Sequence, residues 1–213
     1  MIITAHGGAL KTGRNSKKYF KTIKNYNVDA IEVDIYNGKY GLYISHLPRP
    51  GILKKTALPL SFVFDFVAEH KFKVNCDVKQ KNLIKPVLDL ARQKGVTQYV
   101  YFTGNTVTDK DIKDLVEGEI ALNKAFFKLV PTPENLAKIK KIIDDIENPR
   151  IRAFNVNKKY CTDAMLDEAK RIKLPLSIFT VDDADLLKKL ALRDELFNIT
   201  TNIPDVLTGK KNP

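Results

Sequence analysis

The stretch Asp29-Ala30-Ile31-Glu32-Val33-Asp34-Ile35, followed after a turn by Gly41-Leu42-Tyr43-Ile44-Ser45-His46, decides how this chain is read. In an extended strand alternate side chains share a face. Ile31, Val33 and Ile35 therefore point one way, and Ala30, Glu32 and Asp34 the other. Charged side chains are rarely buried unless they are paired or bound to a cation. A strand aliphatic on one face and acidic on the other projects its carboxylates into a polar cavity, where a hard divalent cation finds oxygen ligands. An edge strand carrying two solvated acids fits this segment equally well. The choice rests on what the rest of the chain supplies.

Working outward, short β-type runs alternate with helical stretches to both ends. Upstream, Ile2 to Ala5 reads as a first strand and Ser16 to Asn27 as a first helix, with Asn15 or Ser16 as its N-cap. Asn37-Gly38 reads as the turn after the acidic strand, and Gly41 to Ser45 as a short extension that brings back His46. Pro48, Pro50 and Gly51 make Leu47 to Leu58 a loop. Helices are expected over Leu60 to Glu69, Leu83 to Lys94, Asp109 to Val116, Pro133 to Ile146, Thr162 to Ile172 and Ala184 to Leu192. Between them lie strands at Phe72 to Val78, Gln98 to Phe102, Glu119 to Leu122, Ile151 to Val156, Leu176 to Val181 and Leu196 to Thr200. Eight strands alternating with helices in a chain of 213 residues predict an α/β fold, a single-domain (β/α)8 TIM barrel, over an open doubly wound sheet. Neither G-x-G-x-x-G nor the P-loop pattern is present to argue for a nucleotide fold.

In such a barrel function collects where strands end at the C-terminal rim. The first strand ends at His6, followed by Gly7-Gly8, which allow close backbone approach. The second ends in Glu32 and Asp34, and its extension ends in His46. The third repeats the alternation, with Asn75, Asp77 and Lys79 opposite Val74, Cys76 and Val78. Asn155 and Asn157 close the sixth strand, and Thr200, Thr201 and Asn202 the eighth. Three acids, a lysine and two histidines thus come from the ends of neighbouring strands. Phosphodiester cleavage suits this set. A divalent cation held by Glu32, Asp34 and Asp77 would polarise a phosphoryl oxygen. Lys79 would add positive charge beside the developing oxyanion. His6 and His46 have the intrinsic pKa range to relay protons near neutrality. The third histidine, His70, reads as a solvated residue at a helix end, and Phe179 as a candidate pocket wall.

Composition narrows the partners. The formal net charge of +11 makes an anionic substrate or surface plausible without identifying one. The lysines are scattered, and no RNA-recognition, helix-turn-helix or zinc-finger spacing occurs, so nucleic-acid binding is not expected. Cys76 and Cys161 lie outside any C-x-x-C pair and read as reduced thiols. The opening residues lack a basic and apolar leader, and no apolar run approaches the ~20 residues needed to cross a bilayer. The chain as given reads as cytoplasmic, with no stable membrane insertion and no feature that specifies an oligomeric state.

At these residues the chain resembles the glycerophosphodiester phosphodiesterase family. The family's opening H-R-G appears as His6-Gly7-Gly8, and its P-E-N-T/S segment as Gly13-Arg14-Asn15-Ser16. The E-x-D strand is Glu32-Val33-Asp34, the second histidine is His46, and the later E/D-x-K strand is Asp77-Val78-Lys79. The closing patterns match Phe179-Thr180-Val181-Asp182-Asp183 and Ile199-Thr200-Thr201-Asn202-Ile203-Pro204. The series runs in order over nearly the whole chain. It implies a TIM-barrel diesterase using Ca2+ or Mg2+ held by Glu32, Asp34 and Asp77, with His6 and His46 as general acid and base. Lys79 would help to bind the phosphate of a small-molecule phosphodiester. The products would be glycerol 3-phosphate and an alcohol, by way of a cyclic phosphate if the glycerol hydroxyl is the nucleophile.

The departures are as informative as the matches. Gly7 stands where the family has the phosphate-contacting arginine, and Arg14 stands where it has glutamate, so Arg14 is expected to restore the missing charge. Asp77 replaces the commoner glutamate, and His46 lacks its usual aspartate neighbour. The family's insertion after the second histidine is reduced to Leu47 through Leu58. Two other readings stay open: a catalytically degenerate barrel that binds a phosphorylated ligand, and a phospholipase-like diesterase acting on a lipid headgroup.

Overall fold

The computed structural model describes residues 1–48 and 57–211. In chain order the elements are β1 (Ile2–Ala5), α1 (Lys17–Ile23), β2 (Ala30–Gly38), β3 (Gly41–Ile44), β4 (Leu58–Pro59), α2 (Leu60–His70), β5 (Lys73–Val78) and α3 (Ile84–Gln93). There follow β6 (Val100–Thr103), α4 (Asp109–Asp114), β7 (Glu119–Asn123), α5 (Lys124–Phe127), α6 (Pro133–Ile146) and β8 (Ile151–Asn157). The last are α7 (Asp163–Arg171), β9 (Leu176–Phe179), α8 (Ala184–Ala191) and β10 (Leu196–Thr201). Parallel pairing runs β1-β10-β9-β8-β7-β6-β5-β2, and β1 pairs again with β2. The sheet therefore closes, and the protein is an eight-stranded parallel (β/α)8 barrel with helices outside it. The antiparallel strands β3 and β4 extend β2 beyond the barrel.

The alternation in the sequence is the division between the two sides of the barrel wall. Ile31, Val33, Ile35, Val74, Cys76, Val78, Phe102, Phe154, Val156 and Ile178 are fully or almost fully buried in the apolar layer. Each aliphatic side chain buried in this way contributes roughly 1.5–3 kcal/mol. The inward face is polar, whereas such interiors are commonly filled by branched aliphatic residues. Inside, the Thr4 hydroxyl donates to Asn198 Oδ1 at 2.5 Å and lies 2.6 Å from the Tyr101 hydroxyl. Asn198 Nδ2 donates to Ser177 and Thr200. The Thr103 hydroxyl donates to Asn75 at 3.0 Å. These buried groups satisfy one another, which is what makes a polar interior tolerable.

Helix starts follow the capping residues. Thr108 and Asp111 form a reciprocal capping box on α4, and the side chains of Ser16, Thr162 and Asp183 accept from the first turns of α1, α7 and α8. Losing one such cap costs about 1 kcal/mol.

Two expectations need correction. The turn does not fall at Asn37-Gly38, because the β2–β3 ladder continues to Gly38 opposite Gly41 and turns at Lys39-Tyr40. Stacking of Tyr36 on Tyr43, ring centres 5.7 Å apart, favours the longer hairpin. His70 is only partly solvated. Its side chain is 21 % exposed and packs edge-on against Phe66. Most of the loop expected from Leu47 to Leu58, and with it the reduced insertion, lies outside the described residues. Among the described residues no helix is long and apolar enough to cross a membrane.

Candidate active site

The register of β2 and β5 builds the centre of the site. Asp34 lies opposite Asp77 and Glu32 opposite Asn75 in the parallel ladder, so the carboxylates share the inward face. Like charges in such positions repel unless something sits between them. Lys79, the residue after β5, reaches back so that its ammonium lies 2.7 Å from Asp34 Oδ1 and 2.5 Å from Asp77 Oδ2. Glu32 is 3 % and Asp34 4 % exposed. Oxygens of Glu32, Asp34 and Asp77 lie within 4.8 Å of one another.

The loop after β1 folds over this cluster. The Gly7 N–H donates to Glu32 Oε2 at 2.6 Å. A Cβ at Gly7 would come within 2.8 Å of that same oxygen, so the close approach requires glycine. Asn15 takes the left-handed conformation, φ 51°, which asparagine tolerates better than most residues. There its Nδ2 donates to Asp34 Oδ2 at 2.9 Å, while its Oδ1 accepts from the Asp34 backbone N–H at 3.3 Å. The neighbouring Arg14 is thereby carried to the rim, where its guanidinium meets His46.

His46 arrives by way of the hairpin. The backbone bond from Ser45 N–H to the Asp34 carbonyl, 3.0 Å, fixes the exit of β3 beside the acidic strand. His46 Nδ1 then lies 3.4 Å from Asp34 Oδ2, and Nε2 faces Arg14. Arginine has no acceptor, so Nε2 carries the lone pair and Nδ1 the proton. His6 is set by a different chain of contacts. Asp182 accepts from both the backbone N–H and the side-chain Nδ2 of Asn202, at 2.8 and 2.9 Å. That turns Asn202 Oδ1 toward His6 Nδ1, 2.9 Å away, so the ring donates there and leaves Nε2 facing Glu32 at 3.9 Å. Both histidines present Nε2 to the mouth.

The charges respond to this crowding. Burial, reinforced by Asp34 and Asp77, pushes the Glu32 carboxyl well above the ordinary range. Burial also raises Asp77, with Lys79 opposing it. Although burial works against its charge, Asp34 is held below the usual range by Lys79 and Asn15. Burial likewise disfavours the Lys79 charge, but Asp77 and Asp34 override it and raise the ammonium above the lysine range. Three clustered carboxylates facing one ammonium leave a shortage of positive charge. Their donor atoms are all hard oxygens, so the residues fit a divalent cation such as Ca2+ or Mg2+.

The structure brings His6, Arg14, Glu32, Asp34, His46, Asp77 and Lys79 together at the C-terminal end of the barrel. Phe179 is placed elsewhere, in a small cavity at the ends of β7, β8 and β9. Asn15 and the Asp182–Asn202 pair belong to the site without being among the candidate residues. Their signal lay in the matched segments Gly13 to Ser16, Phe179 to Asp183 and Ile199 to Pro204, which named positions but not contacts.

No protein-family model and no curated protein matches the sequence. Solved structures do match in fold. A glycerophosphodiester phosphodiesterase from Agrobacterium tumefaciens str. C58 superposes with a TM-score of 0.70 at 13 % identity, over 97 % of this chain and 98 % of that one. The enzyme of the same description from Parabacteroides distasonis ATCC 8503 gives 0.71 at 14 % identity, over 96 % and 93 %. An Oleispira antarctica phosphodiesterase, solved in complex with the product sn-glycerol-3-phosphate, gives 0.71 at 14 % identity, over 96 % and 94 %. At such identity the likeness establishes the fold, and it extends from end to end.

Proposed function

We propose that this chain is a metal-dependent phosphodiesterase that hydrolyses glycerophosphodiesters to glycerol 3-phosphate and an alcohol. The observation that carries the reading is the convergence of Glu32, Asp34 and Asp77 within 4.8 Å at a rim that also holds Lys79, His6 and His46. The full-length likeness in fold to phosphodiesterase structures, one of them holding sn-glycerol-3-phosphate, supports it. A divalent cation on the three acids would act as a Lewis acid toward a phosphoryl oxygen.

The chain's own residues divide the remaining work. Lys79 and Arg14 supply positive charge to the other phosphoryl oxygens, with Arg14 exchanging His46 for substrate. His46 is the base. Its Nδ1–H faces the Asp34 carboxylate, which favours the imidazolium that forms when Nε2 takes the proton of the attacking glycerol hydroxyl. That oxygen bonds to phosphorus as the bond to the alcohol breaks. His6 starts the cycle as the imidazolium, with Nδ1–H on Asn202 and Nε2–H toward Glu32, and gives its Nε2 proton to the departing oxygen. Water then opens the cyclic phosphate with the two histidines in exchanged roles, so protons balance over the cycle.

The test is hydrolysis of glycerophosphocholine and of bis(p-nitrophenyl) phosphate with and without EDTA. Turnover abolished by chelator and restored by Ca2+ or Mg2+ is expected. Absence of turnover with any cation would reduce the protein to a binding barrel, and chelator-resistant cleavage would remove the metal from the reading.

A further inference from the structure

The other half of the mouth has a chemistry of its own. In the order of the closed barrel β8 lies diametrically opposite β2, and the ends of β7, β8 and β9 enclose a cavity of about 170 Å3. Pockets for whole ligands run to roughly 300–1,000 Å3, so this is the size of a subsite. Its lining includes Lys124 and Lys159 and no acidic residue. Neither lysine pairs with a carboxylate among the described residues. Both lie against Tyr160, with Lys124 Nζ 3.2 Å from the phenol oxygen and Lys159 Nζ 5.0 Å from the ring centre.

The amides beneath are oriented by backbone donors, which cannot reverse. The Gly104 N–H donates to Asn123 Oδ1, which also accepts from the buried Asn155 Nδ2 at 2.9 Å. Asn123 must then present Nδ2 outward, and it donates to Asn105 Oδ1 at 2.9 Å. This leaves the Asn105 NH2 group at the outer end of the chain. The Lys159 N–H fixes Asn157 Oδ1 in the same way and turns its NH2 group outward. Tyr160, accepting from Lys124, keeps its own O–H to give. The cavity is thus lined by two ammonium groups, by Asn105 and Asn157, whose amide oxygens are already engaged, and by a phenol, a set richer in donors than in acceptors. A set of that kind matches an anion.

We propose that this lobe takes a second anionic group, a phosphate monoester carried on the alcohol part of the diester, while the scissile phosphate lies at the acidic half. The inference rests on the phosphodiesterase reading and names its substrate class: diesters whose released alcohol is itself phosphorylated. Phe179, on the lobe's wall, faces the carbon skeleton between the two phosphates.

The test compares KM for glycerophosphoglycerol with that for the same diester phosphorylated on its terminal hydroxyl. The phosphorylated substrate is expected to have a KM about tenfold lower or more, the effect of one charge-assisted hydrogen bond. In the Lys124→Met/Lys159→Met double variant the ratio should fall to about one. Lys158→Met, on the same turn but outside the lining, should leave it intact. Calorimetric titration of the phosphorylated diester into the wild type and the double variant gives a readout independent of turnover. Binding that is lost in the double variant, with no hydrolysis of either substrate, keeps the lobe and discards the enzyme. Hydrolysis of both substrates at equal KM discards the lobe and keeps the enzyme. If inorganic phosphate binds and is lost in the double variant while the KM ratio is already one, the lobe is a free-anion site and the substrate proposal is overturned.

Discussion

The two halves of the barrel mouth are built by opposite means. Around β1, β2 and β5 the charged groups already hold one another: Asp34 alone receives Asn15, Lys79 and His46, and Lys79 bridges Asp34 and Asp77. Around β7, β8 and β9 the amides hold one another, and the lysines, which meet Tyr160 but no carboxylate, have donors to spare. A group that must stabilise charge at one point gains from being locked before the substrate arrives. A group that recognises part of a ligand gains from having hydrogen bonds left to make. The contrast separates chemistry from selection.

The strongest way to break that contrast is to remove an acid. Glu32→Gln and Asp77→Asn should each lower kcat by ~10³-fold or more, since a Lewis acid is worth several kcal/mol in the transition state. They should also abolish any rise in Tm on adding Ca2+ or Mg2+, a rise that binding to the native state alone must produce. The lysine-to-methionine variants of the opposite half should keep it. An undiminished Tm response in Glu32→Gln would mean that the cation sits elsewhere.

Next in size are the histidines. His6→Ala and His46→Ala should each cost ~10²-fold or more in kcat, the ordinary worth of a general acid or base, while the cation-induced rise in Tm persists. Near-normal turnover in either variant would take that histidine out of the reaction.

How much of this was legible in the sequence follows from the range of the contacts. The acidic strand, its aliphatic reverse and the repeat at Asp77-Val78-Lys79 are period-two patterns within a few residues. They gave the inward face, and with it the cluster of acids. His46 was legible because a short hairpin returns it to the strand it left. Asn15 was not, since its value lies in a left-handed φ and two bonds to Asp34. Nor was the contact of His6 with Asn202, which exists only because β10 closes the barrel against β1. The short helix Lys124–Phe127 left no periodicity to read, and the amide chain across Asn105, Asn123 and Asn155 joins three strand ends that no local pattern connects.

Arg14 sharpens the contrast from the rim. Arg14→Ala should raise KM for a phosphodiester about tenfold or more, the loss of a charge-assisted bond to phosphate. Gly7→Arg should not rescue it, although the family resemblance expects arginine there. A side chain at that position collides with Glu32 Oε2 and removes an acid from its place. Full rescue would mean that the Gly7 backbone moves freely, and the locked half of the mouth would not be locked.

The smallest effect should come from Asp182, which touches neither the acids nor the substrate. Its carboxylate holds both donors of Asn202, and Asn202 in turn holds His6 Nδ1. In Asp182→Ala the Asn202 amide is free to rotate, and an NH2 group facing Nδ1 would oppose the tautomer and the imidazolium that His6 needs. The expected result is a fall in kcat of roughly tenfold, at the lower end of what removing an outer-shell partner does. KM and the cation-induced Tm shift should stay as in the wild type, because the acids, Lys79 and Arg14 are untouched. Equal losses in kcat and in the Tm response would mean instead that Asp182 supports the loop as a whole, and that His6 owes its orientation to packing.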